Sequence, residues 1–207
     1  LNNYKISGLY GITPDLADTD VLLDKTHQIL EGGARLVQLR NKSADKTLRL
    51  LQAETLLQLC RKYDVPLLIN DNVELALQID ADGVHLGAKD MDITLARRKL
   101  GLDKIIGASC YNRIELAVQA AANSADYVAF GAFFPTSTKH DTVDASIDIV
   151  RHAKSVLDVP VVCIGGINAH NALSLIANGA DAVAVCQAIY QTGNERESAA
   201  TISRLFG

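Results

Sequence analysis

A closed (β/α)8 barrel is the fold this sequence predicts, on three observations. Eight short apolar, β-branched runs recur along its 207 residues, longer segments of helical periodicity separate them, and no Gly-rich dinucleotide fingerprint follows the first run. Strands that alternate with helices pair in parallel through right-handed crossovers, and eight such units point to closure. An open doubly wound sheet, the structural alternative, would want GxGxxG after its first strand, and GLYGITPD does not supply one.

The first run spans residues 6–13 and carries that GLYGITPD stretch. The second, 34–40, is entered through GAR, with Gly33 placed as a helix C-cap glycine, and it ends in Gln38, Leu39 and Arg40. The next segment shows Leu48, Leu51, Glu54, Thr55 and Leu59 as amphipathic positions. The third run, 66–71, ends in Asn70 and Asp71; the fourth, 83–87, is entered through ADGV and leads into HLGAKD. The fifth, 104–110, ends in Ser109 and Cys110. The sixth, 127–134, is entered through SADYV, and its near-continuous apolar character marks a strand buried on both faces. The seventh, 160–166, closes on Gly165 and Gly166, and the eighth, 182–189, is entered through GADAV behind a second C-cap glycine, Gly179.

Nothing in the chain marks a boundary: there is no Pro/Ser-rich linker, low-complexity tract or block of like charge, so one domain over residues 1–207 is the expectation. A net charge of −4 and a pI near 5.7 argue against a nucleic-acid surface or a membrane-binding face and favour small metabolites as partners. No run approaches the length of a membrane span, and LNNYKIS lacks the order of a signal peptide, so the default location is the cytoplasm. Cys60, Cys110, Cys163 and Cys186 are widely spaced without CxxC, which reads as reduced core thiols rather than a zinc site.

In a barrel of this kind the residues at the strand ends converge on one mouth, where active sites are built. After the sixth run come Pro135, Thr136, Ser137, Thr138 and Lys139, three hydroxyls and an ammonium that suit a phosphate or pyrophosphate. A surface turn capping the next helix is the plainer reading of that loop taken alone. On the second strand, alternation sends Gln38 and Arg40 to one side, opposite Leu39, with Asn41 and Lys42 beyond. Arg40 then serves either as one half of an internal ion pair or, with Lys42, as a diphosphate clamp. Asp71 and Asp90 come from neighbouring strand ends and together could hold one Mg2+, or each could merely cap the helix that follows it. His85 reads as a hydrogen-bonded interior histidine before an acid or base. Ser109 can donate to an anion or ring nitrogen but carries no nucleophile elbow. The Gly165/Gly166 pair and the loop at Cys186 and Gln187 follow strands seven and eight, where this fold often binds phosphate.

VQLRNK at 37–42, LLINDN at 67–72, ADGVHLGAKD at 81–90, IIGASCYN at 105–112, FFPTSTK at 133–139 and IGGIN at 164–168 together resemble the thiamine-phosphate synthases, in family order from about residue 9 to 189. The resemblance implies a (β/α)8 transferase that joins a hydroxymethylpyrimidine diphosphate to a thiazole phosphate, releasing pyrophosphate. It implies that Gln38, Arg40, Lys42, Asn70 and Lys139 hold the pyrimidine diphosphate, with Leu39 and Asn41 counted among the substrate-binding residues, that Asp71 and Asp90 bind Mg2+, and that Ser109 lies against the pyrimidine. Thr136, Ser137, Thr138, Gly166, Cys186 and Gln187 would hold the thiazole phosphate. Lys139, Arg40 and Ser109 would carry the catalysis, through a pyrimidine methylene cation captured by the thiazole nitrogen. The chain departs from the family pattern at Ala88, where Gln is frequent, at Ala132, where Pro is frequent, and at Gln187, where Ser is frequent. A thiazole tautomerase of related sequence and a non-catalytic phosphate-binding barrel are the competing functions. Self-association and a carboxylated thiazole substrate are left open.

Overall fold

The computed structural model describes residues 4–135 and 144–207. Eight parallel strands close into a barrel in chain order: β1 (Gly8–Ile12), β2 (Ala34–Leu39), β3 (Leu67–Asn70), β4 (Gly83–Leu86), β5 (Ile105–Tyr111), β6 (Tyr127–Phe130), β7 (Val161–Ile164) and β8 (Ala182–Val185). Closure is made by β1, which pairs β2 from Leu9↔Ala34 and β8 from Gly8↔Ala182. The described helices outside the barrel are α1 (Thr19–Glu31), α2 (Lys46–Lys62), α3 (Val73–Gln78), α4 (Ile93–Leu100), α5 (Ile114–Ala122), α6 (Asp148–Val156), α7 (Ala172–Ala177), α8 (Gln187–Tyr190) and α9 (Glu195–Ser203).

Period-two alternation sorts the strand side chains into two layers. Tyr10, Ile12, Leu36, Leu68, Ile105, Tyr127, Val162 and Ala184 fill the barrel interior. Val37, Leu39, Leu67 and Ile69 point outward against Leu22, Leu56 and Leu57 of the helices, and side chains of this size contribute about 1.5–3 kcal/mol each when fully buried. Along α2 the buried face is Gln52, Ala53, Leu56, Leu57 and Cys60; the expected Leu51 is exposed, because the stripe facing β2 runs one position further along the helix.

The repeated Ala-Asp signatures have a structural cause at the end of the barrel away from the mouth. Asp82, Asp126 and Asp181 each accept a backbone N–H from the first or second residue of a neighbouring strand, Leu67 at 2.8 Å, Ile106 at 2.6 Å and Val161 at 2.7 Å. Asp126 also takes Arg97 at 2.6 Å and Asp181 takes Lys154 at 2.8 Å. Every second crossover is thus fastened to the strand before it.

Two strands, β6 and β8, end four residues before their apolar runs do. β6 stops at Phe130 because Gly131 passes β7 so closely that a Cβ there would lie 2.3 Å from the Ile164 carbonyl oxygen. Phe133 and Phe134 then donate to Ile164 and Gly165 across the top of β7. β8 stops at Val185: Cys186 leaves the extended region, and its carbonyl accepts from Ile189 and Tyr190 as the first turn of α8. Gln187 therefore sits on a helix, and Cys186 is neither in a strand nor fully buried, whereas Cys60, Cys110 and Cys163 are buried free thiols. Among the described residues no helix is long and apolar enough to cross a membrane.

Candidate active site

The C-terminal ends of the strands surround a cavity of about 700 Å3. Arg40, Lys42, Asn70, Asp71, Asp90, Ser109, Gly166, Cys186, Gln187 and Gln38 all line it, so residues from β2 round to β8 share one space.

From β2, Gln38 and Arg40 point inward as alternation requires. Arg40 is mostly covered, its side chain 14% exposed, and its Nη1 lies 3.7 Å from Asp15 in the loop after β1, so the internal ion pair exists but is long. Lys42, 58% exposed, stands 3.9 Å from Asp71. Leu39 and Asn41 do not line the cavity. Leu39 is packed in the outer core. Asn41 is buried because it organises the loop, donating to the Leu16 carbonyl at 2.9 Å and Gln52 Oε1 at 2.8 Å while accepting from Ser43 and the Ala44 N–H. Its polarity answers a local backbone need rather than a ligand.

Neither acid is the cap of its helix. Asn72 caps α3 by accepting from Leu75, and Asp92 caps α4 by accepting from Leu95. Asp71 adopts a left-handed backbone, φ 61°, that turns its carboxylate to the mouth, and Asp90 Oδ2 accepts the Gly87 N–H at 2.7 Å. The two carboxyls lie within hydrogen-bonding reach of each other, and burial together with Asp90 raises the Asp71 pKa, against the pull of Lys42 and Asn70. Two juxtaposed carboxylates at a cavity mouth fit a hard divalent cation. Asp71 and Asp90 could hold such an ion, with waters and substrate oxygens completing its shell; among the described residues no group of three or more acid, His or Cys ligands occurs.

A series of hydrogen bonds crosses the cavity floor. Gln38 Nε2 donates to Tyr10 Oη, Tyr10 Oη and Tyr127 Oη are 3.0 Å apart, Tyr127 Oη is 2.8 Å from His85 Nδ1, and His85 Nε2 is 2.8 Å from Ser109 Oγ. Tyr127 stacks on His85 with 23° between the planes. The sequence reading treated His85 as interior, in agreement, but missed Tyr10 and Tyr127. Their one local signal is Gly107, a glycine inside a strand: a Cβ there would lie 2.0 Å from Tyr127 Cζ.

At the opposite wall Gly165 and Gly166 take φ values of 103° and 62°, and Cβ atoms there would strike Ala132 and the Pro135 carbonyl. Only glycine brings that backbone so close to the segment after β6. Cys186 faces the cavity with its thiol pushed up to about 11 by burial, which nearby Arg40 partly offsets. Tyr111, Lys89, Gln191 and Thr192 also line the space and were not anticipated. Thr136, Ser137, Thr138 and Lys139 lie outside the described residues.

A closed parallel barrel whose mouth combines an arginine and a lysine with a carboxylate pair and a glycine-lined wall defines an enzyme of the phosphate-handling (β/α)8 class. The thiamine monophosphate synthase family model matches residues 9–189, and the chain belongs to that family, which makes it a transferase. It is 55% identical over 202 residues to the thiamine-phosphate synthase of Nitrosospira multiformis, covering 98% of this chain and 86% of that one. The thiamine-phosphate synthase of Nitrosomonas eutropha is 47% identical over 206 residues, covering 100% and 97%. Among solved structures, the thiamine phosphate pyrophosphorylase of Pyrococcus furiosus superposes with a TM-score of 0.85 at 35% identity, covering 96% of this chain and 95% of that one.

Proposed function

We propose that the cavity joins a hydroxymethylpyrimidine diphosphate to a thiazole phosphate, releasing pyrophosphate and forming thiamine phosphate. The observation that carries this reading is the convergence of Arg40 and Lys42 with Asp71 and Asp90 on one cavity. A single phosphate site, all that a thiazole tautomerase needs, would leave that carboxylate pair without a task.

In this reading Arg40 and Lys42 hold the diphosphate, with Asn70 and Gln38 beside it, and Asp71 and Asp90 hold Mg2+. The ion, when bound, supplies positive charge against the diphosphate oxygens. Ionisation of the carbon–oxygen bond moves negative charge onto the departing pyrophosphate, and fixed cations that gain most at that moment lower the barrier. Ser109 lies against the pyrimidine, and the buried interior keeps water from the methylene cation until the thiazole nitrogen captures it. Lys139 joins the diphosphate cations, while Thr136, Ser137, Thr138, Gly166, Cys186 and Gln187 take the thiazole phosphate. Residues 1–207 act as one domain, working in the cytoplasm on small molecules.

The test is direct. Purified protein given both phosphorylated halves and Mg2+ makes thiamine phosphate and pyrophosphate in equal amounts; absence of both across a Mg2+ titration ends the proposal.

A further inference from the structure

The hydrogen-bonded series across the cavity floor has a direction, and the direction is set far from the substrate. A serine and a histidine bonded alone can share their protons either way, the serine accepting or donating. Here the choice is removed link by link. Gln38 Nε2 donates to Tyr10 Oη, so the Tyr10 proton is left for Tyr127. If Tyr127 Oη accepts it, the Tyr127 proton is available to His85 Nδ1, 2.8 Å away. On that ordering the imidazole would carry its hydrogen on Nε2 and donate to Ser109 Oγ, 2.8 Å away, leaving the serine proton for the cavity.

Both phenols are buried, Tyr10 1% and Tyr127 0% exposed, where phenylalanine would fill the same volume without a polar group to satisfy. Strand β5 gives up a side chain at Gly107 to admit one of them, since a Cβ there would lie 2.2 Å from Tyr127 Oη. Packing alone explains the rings. It does not explain the hydroxyls.

We propose that Tyr10 and Tyr127 are positioning residues that hold His85 in its Nε2–H tautomer and so present Ser109 to the substrate as a hydrogen-bond donor. The identity of that substrate rests on the function proposed above, but the tautomer does not. With uniformly 15N-labelled histidine and no substrate, nitrogen–proton correlation spectra report which ring nitrogen of His85 is protonated; the other described histidines, His27, His152 and His170, are exposed. The expected result is a protonated Nε2 and a bare Nδ1. Tyr127→Phe removes the donor to Nδ1 and should give a mixed tautomer, with kcat lowered about ten-fold and the KM for the pyrimidine diphosphate within about two-fold. A protonated Nδ1 in the unmodified protein overturns the proposal, as does Tyr127→Phe with an unchanged tautomer or unchanged kcat. If Tyr127→Phe does not fold, the unmodified spectrum and Tyr10→Phe decide in the same terms. A correct tautomer in a protein that makes no thiamine phosphate would sink the function and leave the positioning intact.

Discussion

Asp71 and Asp90, delivered by successive βα units, both line the cavity mouth, and burial together with the neighbouring Asp90 raises the Asp71 pKa. Like charges so placed store repulsion that a bound cation relieves.

Asp71→Asn should therefore separate function from folding. In metal-free buffer the variant should be at least as stable as the unmodified protein, since a like-charge contact is gone. Pyrophosphate release should need about ten-fold more Mg2+ for half-saturation. A Mg2+ titration that overlays the unmodified curve would show that Asp71 holds no metal.

If Lys139 joins the diphosphate cations as proposed, Lys139→Ala should lower kcat by about 100-fold or more while the melting temperature stays within about 1 °C, because a cation that stabilises developing negative charge acts in the transition state. Steady-state kinetics with both substrates, beside thermal unfolding, checks both halves of the statement.

Asn41→Ala should do the opposite. It removes the donor to Oε1 of the fully buried Gln52 and the acceptor of the Ala44 N–H, while Gln52 keeps its own bond to the Leu16 carbonyl, a loss of about 1–3 kcal/mol. The melting temperature should fall by several degrees with kcat close to unmodified; a collapse of kcat at full stability would return Asn41 to the substrate.

Gly107→Ala should destabilise by about 1–3 kcal/mol through overpacking, since the new methyl would sit within the Tyr127 ring's own radius. For a chain of this size each kcal/mol shifts the melting temperature by roughly 2–4 °C, so urea or thermal unfolding resolves it.

Particular residues also show what a linear reading can reach. The inward turn of Gln38 and Arg40 and the outward turn of Leu39 follow from period two and were legible. The acids were legible as acids, but their helices were capped instead by Asn72 and Asp92, because several residues near each helix start had capping side chains and only the backbone path chose among them. Asn41 stood between two cations and read as one of their company; its partner Gln52 is on another element, and no spacing rule connects them. Tyr10 and Tyr127 are 117 positions apart, and their contact exists only once the barrel has closed.

Closure by the first and last strands has a cost during synthesis. Gly8–Ile12 is synthesised well before its partner Ala182–Val185, with Gly8↔Ala182 and Leu9↔Val183 among the pairs that must wait longest. Throughout that interval a strand of five buried residues offers an unclaimed edge to any neighbouring nascent chain. Translation speed, crowding and chaperone supply should thus govern the yield of this protein more sharply than the stability of the finished barrel would suggest.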